Sequence, residues 1–229
     1  MIEVKEAKKK YGRKTVLDGI TFQAKKGEIT CLIGINGVGK TTILKAVMGL
    51  TPIHSGSITI DGQKLDKNML KKITYIPDAP IMQQGMTIEQ YMEFMEDFYP
   101  NWNRERAFEL LQFFRLSKSE KIGNLSKGNA AKASLLMGLA LDTDYLLMDE
   151  PFSGIDLFSR EQIARVFTSH LIEGRGVIIT THEIQDIEHL IDQVVLVDNG
   201  VVMKQFYAEE MRIEEGKSVV DVMREVYQG

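Results

Sequence analysis

Nine residues carry the first legible chemistry of this chain: Gly34-Ile-Asn-Gly-Val-Gly-Lys-Thr-Thr42. They satisfy G-x-x-x-x-G-K-[ST], the pattern of a loop that cradles phosphate. Glycines let the backbone turn tightly, so its N–H groups can face an anion. A helix that starts here adds the positive end of its dipole. Lys40 is expected to reach β- and γ-phosphates and Thr41 to hold Mg²⁺. Gly34, Ile35, Asn36, Gly37, Val38, Gly39, Lys40, Thr41 and Thr42 together form the expected nucleotide-binding set. A second stretch, Tyr145-Leu-Leu-Met-Asp149-Glu150-Pro151, is an apolar run ending in two carboxylates. Such a run is often only a strand entering a solvated acidic turn. With a phosphate loop upstream, Asp149 is placed to orient Mg²⁺ and its waters. Glu150 is then placed to polarise an attacking water.

Those residues need elements to position them. The apolar run Ile29–Ile33 leads into the loop, and a helical pattern, Ile43–Leu50, leaves it. That strand–loop–helix order is the context a phosphate loop requires. Before it, Ile2–Lys5 and Thr15–Ala24 read as strands, turning at Lys25-Lys26-Gly27 into Glu28–Ile33. Ser57–Ile60 runs into Asp61-Gly62, a hairpin signal, and Ile73–Ile76 is a short strand closed by Pro77. The pattern then turns helical. Thr87 and Gln90 form a capping box, and Tyr91, Phe94, Met95 and Phe98 share one helical face. Arg104–Leu116 is a second amphipathic helix, and Ser126 caps a third that runs to Leu141. After it, Tyr145–Met148 reads as a strand, Leu157–Ile172 as a helix, Val177–Thr181 as a strand and Glu183–Ile191 as a helix. Val194–Val197 and Val201–Phe206 pair across Asn199-Gly200. A terminal helix, Ser218–Tyr227, is capped by Ser218 with Asp221. The chain therefore divides into an α/β part, 1–77 with 142–229, and a helical insert, 78–141.

Bulk numbers narrow the classes. The chain has 229 residues, 44% hydrophobic and 26% charged, with a formal net charge of −4. That balance argues against a nucleic-acid binder relying on bulk positive charge. Lys8, Lys9, Lys10, Arg13 and Lys14 form the one basic cluster, read as a solvated strand end. Cys31 is the single cysteine, so no internal disulfide forms and a reducing compartment is natural. It is read as buried packing. Ala133–Leu141 is the longest apolar run, short of the roughly 18 residues a membrane span needs. The chain by itself is expected to be soluble and cytoplasmic.

The order of motifs resembles, from end to end, the nucleotide-binding subunit of an ATP-binding cassette (ABC) transporter. Leu125-Ser126-Lys127-Gly128-Asn129 resembles that family's LSGGQ signature, Ser153-Gly154-Ile155-Asp156 its D-loop, and Thr181-His182 its switch histidine. Tyr11 matches the aromatic residue that stacks on adenine. The resemblance implies an α/β fold: a P-loop NTPase (RecA-like) core, an N-terminal antiparallel β-subdomain and an inserted α-helical subdomain. It implies ATP and Mg²⁺ as cofactors, and a head-to-tail pair of such domains in which Ser126 and Gly128 complete the partner's site. It also implies a separate membrane-spanning subunit, with this chain peripheral on the cytoplasmic face of the cell membrane. The segment Pro80–Tyr99, with Met82, Met86, Met92 and Met95, lies where relatives receive that subunit. Phe98-Tyr-Pro-Asn-Trp-Asn103 and the Ser-Lys-Gly signature resemble bacterial single-domain exporter subunits.

Departures from the family pattern shape the expectation. Asp78 stands where family members carry Gln; its carboxylate remains a candidate Mg²⁺ contact but adds negative charge beside Asp149 and Glu150. Lys127 replaces a glycine of the signature and Asn129 its Gln. With Lys40, Thr41, Asp149, Glu150 and His182 all in place, hydrolysis of ATP driving a membrane exporter is the expected function. The alternative is an ABC-type ATPase with weak hydrolysis, acting as a nucleotide-dependent regulatory or binding module. A DNA- or ribosome-directed relative would carry a long coiled-coil insert or two cassettes, and this sequence has neither. A GTPase would carry N-K-x-D. His182 and His189 do not stand in H-E-x-x-H spacing, so a zinc site is not expected.

Overall fold

The structure, a computed structural model, describes every residue except Glu183, Gln185, Asp186 and Gly229. Strand β1 (Ile2–Tyr11) pairs antiparallel with β2 (Lys14–Ala24), and β3 (Ile29–Ile33) follows. Sequence alternation ends β1 at Lys5, yet it continues to Tyr11. Glu6 sits at φ 49° and the register shifts between Val4 and Ala7, a bulge that interrupts the period of two. The basic cluster therefore starts within the strand, where Lys9 donates to the carbonyl of Pro52 at 2.7 Å. After α1 (Lys40–Val47), β4 (Ser55–Ile60) joins β1 and pairs with the short β5 (Gln63–Lys64). Asp61 and Gly62 between them have φ of 51° and 76°, the left-handed pair of a tight hairpin turn. Helix α2 (Lys67–Leu70) then leads to β6 (Ile73–Ile76).

Between β6 and the next strand the chain is helical: α3 (Ile88–Phe98), α4 (Arg104–Phe113) and α5 (Lys127–Leu139). The capping box is present, with Gln90 N donating to Thr87 Oγ1 at 3.2 Å and Thr87 N to Gln90 Oε1 at 2.9 Å. Helix α5 begins at Ser126, whose hydroxyl accepts from Asn129 N. Its other end is gripped by Arg175, which donates to the carbonyls of Leu139 (3.1 Å) and Leu141 (2.8 Å). That guanidinium is buried, and desolvation brings its pKa down to about 10.

The α/β pattern resumes with β7 (Tyr145–Asp149), α6 (Leu157–Ala164), β8 (Gly176–Thr181), β9 (Gln193–Asp198), β10 (Val201–Tyr207), α7 (Ala208–Glu214) and α8 (Val219–Gln228). The helix expected over Leu157–Ile172 breaks after Ala164 into two 3-10 turns, Arg165–Thr168 and His170–Ile172. Ser169 separates the two turns. Its hydroxyl donates back to Val166 O at 2.7 Å and accepts from Leu171 N, so side chain competes with helix ladder. The expected Glu183–Ile191 helix lies partly on residues outside those described; Glu188–Leu190 forms a single 3-10 turn.

The larger sheet runs β10-β9-β3-β8-β7-β6, parallel except for β10, and the smaller runs β2-β1-β4-β5. Alternate residues of β3 serve different cores. Leu32 packs with α1 and the antiparallel sheet, while Cys31 and Ile33 pack with the helical side. Burial pushes the Cys31 thiol far up, which keeps it an inert packing group. With β3 covered on both faces, the chain leaves the sheet at Ile33, and the strand ends define one edge.

Candidate active site

Two glycines shape the phosphate loop by what they lack. A Cβ on Gly34 would stand 2.3 Å from Val197 O. Gly39 caps α1 at φ 112°, where a side chain would be strained and would press on Leu17 and Val16. No side chain caps α1, so its first N–H groups face the cleft rather than a protein partner. A cleft of about 380 Å³ opens there, lined by Val16, Asn36, Gly37, Gly39, Lys40, Thr41, Thr42, Asp78, Glu150, Ser153 and His182.

Lys40 is 5% exposed. Its Nζ donates to Gly34 O at 2.7 Å and stands 3.3 Å from Glu150 Oε1. Asp149 is buried behind the cleft and accepts three hydroxyl bonds. Thr41 Oγ1 and Thr180 Oγ1 donate to its Oδ1 at 3.1 and 2.7 Å, and Tyr75 OH to its Oδ2 at 3.1 Å. Burial, then Asp149, holds the Tyr75 phenol well above its usual pKa, so it stays a donor. Glu150 takes φ 46°, an uncommon conformation for a side-chain-bearing residue. Its N–H is secured by Thr180, with the backbone O at 3.1 Å and Oγ1 at 2.9 Å. Its Oε2 meets His182 Nδ1 at 2.8 Å. Asp78, on the loop after β6, has its pKa raised by burial and by Asp149 and Glu150, against Lys127 and His182.

Carboxylate and hydroxyl oxygens dominate one wall, and Lys40 with the helix start dominates the other. Among the described residues no three His, Cys, Asp or Glu form a closed metal cage. Thr41, Asp149 and Asp78 therefore offer a partial set of hard oxygen donors. That suits Mg²⁺, which keeps waters and takes substrate phosphate oxygens.

A family profile described as ABC transporter matches residues 17–153. The chain belongs to the ABC transporter family. Its ATP-binding relatives include a petrobactin import ATP-binding protein of Bacillus subtilis, 30% identical over 99% of this chain and 92% of that protein. A Nod factor export ATP-binding protein of Ralstonia nicotianae is 29% identical over 97% of this chain and 72% of that protein. A solved ATP-binding subunit of an ABC transporter superposes with a TM-score of 0.88 at 28% identity, covering 99% of both chains. The chain is thus an ABC ATPase subunit, with the family's α/β cassette fold and ATP as its nucleotide. No described helix is long and apolar enough to cross a membrane.

Against the sequence reading, the ABC cassette gathers the phosphate loop, Asp149, Glu150, His182 and Asp78 in one place. It does not place every expected residue there. Tyr11 is half exposed at the end of β1 with Lys9 over its ring at 5.1 Å; it does not line the cleft, whereas Val16 does. Ser126 is exposed at the head of α5 and, with Gly128, lies outside the cleft lining. Of the methionines, Met92 and Met95 are core, although Met95 also edges a surface groove with Met82; Met86 is partly buried. The sequence reading missed Tyr75 and Thr180, which hold Asp149. Thr180 pairs with Asp149 across adjacent parallel strands, a register no local motif announces.

Proposed function

We propose that this chain hydrolyses Mg-ATP in the cleft above α1 and transmits the nucleotide state to a membrane-spanning partner. The observation that carries the reading is the contact set Lys40–Glu150–His182 beside Asp149 held by Thr41. The loop amides and Lys40 bind the β- and γ-phosphates; Lys40 exchanges its contact with Gly34 O for phosphate oxygen. Thr41 and Asp149, with Asp78 at the edge, would hold Mg²⁺, which would supply positive charge to the phosphate oxygens. Glu150 takes the proton of the attacking water. His182, bonded to Glu150, orients that carboxylate and reports the γ-phosphate.

Ser126 and Gly128 do not line this chain's own cleft, and we assign them to the nucleotide of a second cassette packed head-to-tail. Pairing then follows ATP binding, and separation follows hydrolysis. A groove of about 370 Å³ lined by Ile81, Met82, Tyr91, Met95, Tyr99 and Met137 is the docking surface for the membrane subunit. Ile81 is 80% exposed there, as a contact residue awaiting a partner would be. On this reading the chain works at the cytoplasmic face of the membrane. Export is the direction we propose, from the exporter-like signature and likeness to the Nod factor export protein.

Glu150→Gln tests the reading. It should retain Mg-ATP binding, lower the rate of phosphate release roughly 10²–10⁴-fold, and accumulate an ATP-bound dimer by sedimentation. Hydrolysis at the normal rate would remove Glu150 as the base.

A further inference from the structure

The last helix, α8, is not used by the chemistry above, yet it reaches the phosphate loop from behind. Tyr227 OH shares its one proton between two carbonyls, Ile33 O at 3.0 Å and Val197 O at 3.1 Å. Ile33 is the residue before Gly34. Val197 O is the atom against which Gly34 packs so closely that a Cβ would stand 2.3 Å away. Gly34 O in turn accepts from Lys40 Nζ at 2.7 Å. One phenol therefore fixes both the strand end that feeds the loop and the carbonyl that forms its wall.

Helix α8 is itself held at its other end. Ser218 and Asp221 cap it reciprocally, Ser218 N donating to Asp221 Oδ2 at 3.0 Å and Asp221 N to Ser218 Oγ at 3.1 Å. Val219 N donates to Glu188 Oε1 at 2.6 Å, and Val219 and Val222 are buried in the helical-side core. Glu188 belongs to the segment that follows His182. The helix thus spans from the segment after the switch histidine to the root of the phosphate loop. Burial, with Asp198 nearby, pushes the Tyr227 phenol up to about 12, so it remains a donor across the physiological range.

We propose that Tyr227 is a positioning residue for ATP binding, which sets the place of Gly34, and through it Lys40, by clamping the Ile33 and Val197 carbonyls. The inference rests on the reading of Gly34–Thr42 as the phosphate site. Its consequence is a split effect. Losing the hydroxyl loosens the loop's root and weakens nucleotide binding, while Glu150, held from Thr180, keeps its chemistry.

The test compares Tyr227→Phe with Tyr207→Phe in the full chain. Tyr207 also engages by its hydroxyl, with Lys25 and Glu28, but away from the cleft. Mg-ATP affinity is measured by calorimetric titration, kcat and KM by phosphate release, and fold stability by thermal unfolding without nucleotide. Tyr227→Phe should raise Kd and KM roughly three- to ten-fold, the value of one hydrogen bond, with kcat within about two-fold. Tyr207→Phe should leave Kd and KM unchanged. An unchanged Kd for Tyr227→Phe, or an equal shift in both variants, overturns the proposal. Failure of the wild-type chain to bind Mg-ATP overturns this inference together with the reading of the loop, and so is distinguishable from either of those results.

Discussion

Asp149 ends a strand and Ser126 caps the start of a helix; both are proposed to offer oxygen to nucleotide chemistry, but their surroundings differ. Asp149 is 3% exposed and accepts hydroxyls from α1, β6 and β8. Ser126 is exposed and accepts a single amide, its own helix cap at 3.2 Å. The same contrast runs through their neighbours. Around Asp149, strand ends, a buried Lys40 and a constrained Glu150 fix one another. Around Ser126, Lys127 is an exposed chain leaning over Gly154. The groups proposed to act on the chain's own nucleotide are thus braced from within, whereas Ser126 and Lys127, on the surface proposed to meet a second cassette, are exposed. Three glycines sample this gradient, each asking what a single methyl group meets.

Gly34→Ala should have the largest effect. The new Cβ would meet backbone, Val197 O at 2.3 Å, with Val38 Cγ2 at 2.8 Å. Backbone in a parallel sheet cannot step aside, so overpacking of about 1–3 kcal/mol is expected. The loop's entry also moves, and Kd for Mg-ATP should rise more than about ten-fold, since each 1.4 kcal/mol is a factor of ten. Urea unfolding and nucleotide titration measure the two. A tolerated methyl with normal affinity would mean that the root of the loop is not rigid.

Gly128→Ala is intermediate. Its Cβ would stand 2.4 Å from Ser159 Oγ, a hydroxyl that is buried and committed to Asp156 Oδ2 at 2.7 Å. A side chain can move where backbone cannot, at the cost of that bond, so about 1–2 kcal/mol is expected. The start of α5 would shift against α6. In the Glu150→Gln background, ATP-dependent pairing should weaken about ten-fold by sedimentation, while the single chain's Kd for Mg-ATP stays within about two-fold. A collapse of single-chain affinity instead would show the signature to be coupled to the chain's own loop.

What the sequence revealed follows the same division between local and distant causes. The phosphate loop, the Thr87 and Ser218 capping boxes, and the Asp61-Gly62 and Asn199-Gly200 turns are short-range patterns whose physics lies within a few residues. The Asp149 cradle is not. Tyr75 and Thr180 reach it from strands 74 and 31 residues away, and only the strand order brings them together. Tyr227, 194 residues from Ile33, is more distant still. The differences are local: the Glu6 bulge within β1, and the Ser169 hydroxyl that competes with the helix ladder between the two turns after α6.

Gly154→Ala should have the smallest effect, although its methyl would nominally have the closest neighbour, Lys127 Nζ at 2.2 Å. That atom is the far end of an exposed, rotatable chain and can swing into solvent. What remains is the backbone: φ of 61° costs an L-residue about 1–2 kcal/mol, a fall of a few degrees in the unfolding midpoint. The double variant Gly154→Ala with Lys127→Ala separates the two causes. If strain is purely conformational, shortening Lys127 rescues nothing and the two changes add within about 0.5 kcal/mol. A rescue beyond that would show Lys127 to be pinned over the D-loop as firmly as Lys40 is pinned in the cleft, and the contrast between the two regions would fail at the residue where this signature departs from its family.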